Sequence, residues 1–131
     1  MTDDELLEAF EAGREPLGGF HHREHVRVAW LYLRRDPWPA ALGHFRDGLK
    51  RFAAAQGKPG LYHETITVAY LLLIHERMAG AGDGGSFDAF VAQNPELLRW
   101  KPSLLDRYYA AATLDSDLAR RVFVMPDRLA P

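Results

Sequence analysis

The sequence predicts an all-α fold, a compact helical bundle of about four main helices plus short C-terminal helices, in a single domain over 1–131. Three observations carry that expectation. Apolar residues recur at helical spacing, as in Val26, Ala29, Trp30 and Leu33. Cap and breaker residues punctuate the chain at the right intervals, from Thr2 with Glu5 to Asp36-Pro37 and Ser86. The longest apolar stretch is followed by His75-Glu76-Arg77-Met78, which extends it beyond the length of a strand.

Thr2 and Glu5 form a capping-box pair ahead of Leu6, Leu7 and Phe10, predicting a first helix over about 3–12 that ends near Gly13. Glu15-Pro16-Leu17-Gly18-Gly19 is a breaker-rich connection. The second helix starts near His21 and runs to about Arg35, where Pro37 disfavours helical geometry at Asp36. The third spans about 38–55, with Ala41, Phe45, Leu49 and Phe52 on its apolar face. The fourth covers about 61–79 and reads as apolar all the way round, the mark of a central helix; its β-branched content leaves a strand over 65–74 as the alternative. Ser86 caps a short helix with Phe87, Phe90 and Val91, Asn94-Pro95 opens another turn, and Leu104, Leu105, Tyr108 and Tyr109 predict one more helix. A final short helix follows Asp115-Ser116-Asp117.

Composition narrows the function classes. Sixteen basic against eighteen acidic residues, a formal net charge of −2, argue against a dedicated binder of nucleic acid or anionic membrane. The chain has no cysteine, which excludes disulfides, thiolate catalysis and cysteine-ligated metals. The acidic start Met1-Thr2-Asp3-Asp4-Glu5 lacks the form of a signal peptide, and the apolar run Val68 to Ile74 is far shorter than a span of about 20 residues. The expectation is a cytoplasmic protein. No glycine-rich phosphate loop and no nucleophile elbow occur.

Six histidines offer the chemistry. His22 and His25 are one turn apart on the second helix, beside the stripe that starts at Val26, with His21 toward the flank. His63 and Glu64 open the fourth helix, where a buried carboxylate needs a cation, a histidine or a metal beside it. If the second, third and fourth helices alternate up, down, up, the two motifs start at one end of the bundle. Imidazole and carboxylate together suit a divalent transition metal, Zn, Fe, Mn, Ni or Cu. The leading expectation is therefore a small metalloprotein, a metal-dependent enzyme acting on a small molecule. Its ligands are His22, His25, His63 and Glu64, its catalytic pair is Glu64 with His63, and His21, Glu24 and Tyr62 surround them. Two other readings stay open: a metal-free enzyme or small-ligand binder using His63 and Glu64 as an acid–base pair, and an interaction protein in which the His/Glu network is structural. His75-Glu76 stands about 16–18 Å further along the fourth helix and cannot join the site. His44 reads as a satisfied or half-exposed histidine.

The pieces Phe20-His21-His22-Arg23-Glu24-His25, Ala29-Trp30-Leu31-Tyr32-Leu33, Tyr62-His63-Glu64-Thr65-Ile66-Thr67 and Phe123-Val124-Met125-Pro126-Asp127 resemble those of a group of small all-helical bacterial proteins of unassigned function. That resemblance covers most of the chain and implies a fold without an activity. A looser similarity, at a different histidine spacing, is to helical-bundle metal proteins of the DinB type, which use three histidines.

Overall fold

The computed structural model describes residues 1–128 and is all-α, with no strand among the described residues and one isolated bridge between Trp100 and Ser103. Sequence reading expects one domain; the contacts within the chain resolve two compact units, one of Met1–Tyr62 and one that begins at His63. No helix among the described residues is long and apolar enough to cross a membrane.

The first unit packs three helices against one another: α1 (Asp3–Glu11), α2 (His22–Arg35) and α3 (Trp38–Ala55), with a 3-10 turn at Pro59–Leu61 against α3. The predicted capping box opens α1: Thr2 Oγ1 accepts from the Glu5 N–H at 3.1 Å, and the Glu5 carboxylate accepts from the Thr2 N–H at 3.4 Å. Arg27 ties α2 to that end of α1, donating to Asp3 Oδ1 at 2.6 and 2.9 Å and to the Met1 carbonyl at 3.0 Å. Asp36 closes α2 in extended geometry (φ −120°, ψ 151°), as the residue before Pro37 must.

The unit's core is aromatic. Phe10, fully buried, stacks on Phe20 and Phe52 at centroid distances of 5.5 and 5.9 Å and meets the edge of Tyr32 at 6.3 Å. Phe20 also meets Phe52, at 4.5 Å and with the rings tilted by 44°. α3 presents Gly48 to this cluster, where a Cβ would lie 2.5 Å from Phe10 Cε2. The close approach of α1 to α3 thus depends on a missing side chain.

The second unit holds α4 (Glu64–Ala81), α5 (Phe87–Gln93), α6 (Ala111–Leu114) and α7 (Asp117–Arg121), with 3-10 turns at Pro95–Leu98 and Leu104–Arg107. The strand alternative for 65–74 gives way to helix. α4 begins three residues later than predicted because Pro59-Gly60-Leu61 is used in a 3-10 turn and His63 becomes the cap. α4 also has a face: Thr65, Thr67, Ala69, Tyr70, Leu71 and Ile74 are buried, whereas Leu72 is 40% exposed. Ala69 and Tyr70 pack with Leu105 and Tyr109, flanked by Ile66, Leu73, Tyr108, Leu114 and Phe123.

The helix expected after Pro102 is a single 3-10 turn. Ser103 and Asp106 cap it reciprocally, Asp106 Oδ2 accepting from the Ser103 N–H at 3.2 Å, and the chain is extended again by Ala110. α6 went unpredicted because Ala111-Ala112-Thr113-Leu114 is one turn long and carries no apolar period. Ser86 and Ser116 cap α5 and α7 as the sequence predicts, accepting from the Ala89 and Ala119 N–H groups.

Gly48→Ala should lower stability by about 1–2 kcal/mol, because the clash with an immobile Phe10 outweighs the gain in helix propensity. Gly43→Ala, on the same helix with nothing within 4 Å of the added Cβ, should raise it by about 0.5–1 kcal/mol. Urea unfolding of the two variants checks both signs; a Gly48→Ala protein as stable as Gly43→Ala would refute the packing account.

Candidate functional site

The expected site residues divide between the units. His21, His22, Glu24, His25 and Tyr62 belong to the first, His63 and Glu64 to the second. Glu24 is a capping residue: its Oε1 accepts from the His21 N–H at 2.8 Å at the start of α2. The exposed His21 ring turns back on the connection, with Nε2 3.2 Å from the Gly18 carbonyl. It lies over Gly19, whose φ of +96° and lack of a Cβ make room for it. His22, the first residue of α2, is half-buried. His25 is half-buried at the edge of the aromatic cluster, its ring centroid 4.3 Å from that of Phe20. Burial, followed by the neighbouring His22 and His21, pushes its pKa down from 6.5 to about 4. Tyr62 takes the Lys50 ammonium over its face at 5.2 Å.

His63 is placed by the cap it forms. Its backbone is extended (φ −134°, ψ 110°), its Nδ1 accepts from the Ile66 N–H at 3.1 Å, and its Nε2–H donates to the Leu114 carbonyl at 2.7 Å. Both ring nitrogens are therefore used, and the pair of partners selects the Nε2–H tautomer. Thr65, fully buried at the second position of α4, donates from Oγ1 to the Val122 carbonyl at 2.8 Å and accepts from the Val124 N–H at 3.1 Å. Tyr109 Oη donates to the Val124 carbonyl at 2.7 Å. Asp127 then accepts from the Ala110 N–H at 3.0 Å and from the Thr113 hydroxyl. Thr65 thus ties Val122 and Val124 to the first turn of α4, while Tyr108, Ala110 and Thr113 hold Asp127, and this ladder joins the two motifs of the sequence, Tyr62-His63-Glu64-Thr65 and Phe123-Val124-Met125-Pro126-Asp127. Glu64 is half-buried at the first position of α4.

An open cleft of about 490 Å³ lies beside this ladder, wholly within the second unit. His63, Ile66, Leu105 and Leu114 form its inner wall; Trp100, Lys101, Pro102, Ser103, Asp106, Asp115 and Arg120 line the rest. Trp100 is 45% exposed at a centroid distance of 6.2 Å from Tyr70. Ser103 Oγ bonds Tyr70 Oη at 2.8 Å, and burial, partly offset by that bond, raises the Tyr70 pKa. The sequence signalled none of Trp100, Lys101, Ser103 or Arg120 as site residues, because none belongs to a motif and the spacing of Leu104, Leu105, Tyr108 and Tyr109 reads as packing.

No family model, curated protein or solved structure matches the chain.

Among the described residues no three or more His, Cys, Asp or Glu side chains are grouped where they could hold a metal ion. The expected ligand His63 would have to surrender its cap or its bond to Leu114 to offer a lone pair. No buried side-chain polar atom among the described residues lacks a partner.

Thr65→Val keeps the shape but strands the Val122 carbonyl and the Val124 N–H, so it should cost about 2 kcal/mol, with Thr65→Ser retaining most of that. Denaturant unfolding decides it, and a fully stable valine variant would count against the ladder. For His25 the folded pKa lies below the unfolded value, so the neutral ring is the form the fold prefers. Its contribution is complete above about pH 6.5 and is lost as pH falls from 6.5 towards 4, at most about 3 kcal/mol. Nitrogen-15 NMR titration should find the His25 ring still neutral at pH 5.5, and His25→Phe should flatten the stability profile between pH 7 and 4. A His25 that titrates near 6.5 would overturn this.

Proposed function

We propose that the chain is a small-molecule binding protein whose ligand occupies the cleft beside His63. The single observation that supports this most is the cleft itself. At about 490 Å³ it falls in the size range of small-ligand sites, and it pairs an apolar inner wall with an exposed indole and a few charged groups. Lys101 and Arg120 face the same space as Asp106 and Asp115, which suits a ligand carrying both signs of charge, or a neutral polar one with an aromatic ring for Trp100.

His63 favours binding over acid–base catalysis. A ring whose two nitrogens are bonded to backbone groups forms a fixed wall and has no lone pair or proton to spare. The role we give His63 is therefore positional: it sets the wall by joining α4 to the end of α6. The lack of cysteine and the balanced charge support a partner that is a small molecule in a reducing cytoplasm, without nucleic acid or membrane. The metalloenzyme with His22, His25, His63 and Glu64 as ligands is the competing proposal, and metal content separates the two.

Ligand-observed NMR on tag-free protein, with a panel of amino acids, small carboxylates, amines and nucleobases, tests the reading. At least one class should bind with a Kd of about 1 mM or tighter, unchanged by excess chelator, and Trp100→Ala should weaken it about tenfold. Failure of every class to bind, or binding indifferent to Trp100→Ala and Ser103→Ala, would remove the cleft from consideration. Stoichiometric metal that disappears in His25→Ala and His63→Ala would favour the metalloenzyme instead.

A further inference from the structure

The chain contains two Asp-Gly pairs, Asp47-Gly48 and Asp83-Gly84. In such a pair the glycine puts no side chain beside the backbone nitrogen that must attack the aspartyl carboxyl carbon, so the linkage is the one most prone to rearrange. The fold treats the two pairs in opposite ways. Asp47 lies inside α3, which pins its backbone dihedrals, commits the Gly48 N–H to the helical hydrogen-bond ladder and buries Gly48. Asp83 lies in the connection 82–86 between α4 and α5, outside any helix. Its side chain is already folded over the peptide that would be attacked: Oδ1 accepts from the Gly85 N–H at 2.8 Å, which bends the carboxyl forward across the Gly84 nitrogen. The Gly84 N–H makes no backbone hydrogen bond among the described residues, and Gly84 is exposed, so solvent reaches the nitrogen that has to lose its proton.

We propose that Asp83 is a site of spontaneous conversion to isoaspartate, and that the fold protects Asp47 from the same reaction. The deprotonated Gly84 nitrogen bonds to Asp83 Cγ, and the Cγ–OH bond of the protonated carboxyl breaks. The hydroxyl leaves with the displaced amide proton as one water. The five-membered imide that results takes up a water again. Addition at the side-chain carbonyl restores aspartate. Addition at the main-chain carbonyl breaks its bond to the Gly84 nitrogen, so the chain now runs through Cβ and Cγ and the former main-chain carbonyl is a free carboxylate. One water leaves and one returns, and no oxidant or cofactor takes part. The product adds a methylene to the backbone between α4 and α5. Gly84 is seated against α5, where a Cβ would lie 2.6 Å from the Phe90 backbone nitrogen, so the extra length has to be absorbed where α5 docks. A free α-carboxylate in an exposed turn is the group that a carboxyl methyltransferase specific for isoaspartate accepts, and that enzyme class is the partner the altered chain fits.

The test is to age the full chain at neutral pH and physiological temperature. Isoaspartate is read as methyl groups transferred from labelled S-adenosylmethionine by an isoaspartyl methyltransferase, and located by electron-transfer fragmentation of the peptides. Asp83 should convert at least about tenfold faster than Asp47, a difference of ~1.4 kcal/mol in barrier. Asp83→Glu, which would have to close a six-membered ring, should remove most of the methylation while circular dichroism stays unchanged. In guanidinium chloride the two Asp-Gly pairs should convert at similar rates, because only the fold separates them. No isoaspartate at Asp83, or a rate at Asp47 as high as at Asp83, would overturn the proposal. A preference for Asp83 that survives unfolding would overturn it too, by assigning the difference to neighbouring sequence.

Discussion

Two side chains at the start of α4, its cap His63 and Thr65, hold the second unit together. His63 satisfies the Ile66 N–H on one nitrogen and the Leu114 carbonyl on the other; Thr65 does the same for the Val122 carbonyl and the Val124 N–H. Between them the two side chains satisfy four helix-end or extended-chain backbone groups, and such a group left unpaired away from water costs about 1–3 kcal/mol. The remaining pieces of the unit are too short to be stable alone: α6 has 4 residues and α7 has 5. Their geometry is borrowed from α4 through these bonds, and the cleft walls formed by Leu114, Asp115 and Arg120 are borrowed with it.

The first unit rests on a different constraint, the fit of Phe10 between Phe20 and Phe52 over a glycine of α3. Here the histidines of the Phe20-to-His25 motif are drawn into packing and capping. Glu24 closes the start of α2, and His25 fills space against Phe20 as an uncharged ring. A cluster of imidazoles in a sequence reads as ligand chemistry because the side chain is reactive. In this unit its planar shape, with a polar edge that can be buried neutral, accounts for at least one of them.

Much of the fold was legible in residue spacing. Thr2 with Glu5, Pro37, Ser86 and Ser116 act through their own backbone neighbours, so a local pattern suffices to place α1, α2, α3, α5 and α7. What was not legible depends on partners remote in the chain. Nothing local at Thr65 announces that its hydroxyl serves residues 122 and 124, and nothing at His63 announces Leu114. The apolar run of α4 hid a face because Thr65 and Thr67, polar by composition, are buried, while Leu72, apolar by composition, is exposed. Trp100 and Ser103 were not legible either, because what gives them a place is Tyr70, 33 residues before Ser103.

The span of the Thr65 bonds has a consequence for how the chain is made. The acceptor Val122 lies 57 residues after Thr65 and Leu114 lies 51 after His63. At a synthesis rate of roughly 5–20 residues per second, the start of α4 leaves the ribosome several seconds before its partners exist. The first unit has no such wait, since its helices are complete by residue 62. During that interval the buried face of α4 is an apolar helix without a cover, open to chaperones and to other nascent chains. The second unit assembles last, and arrives at its shape only when the valines near its end have been translated.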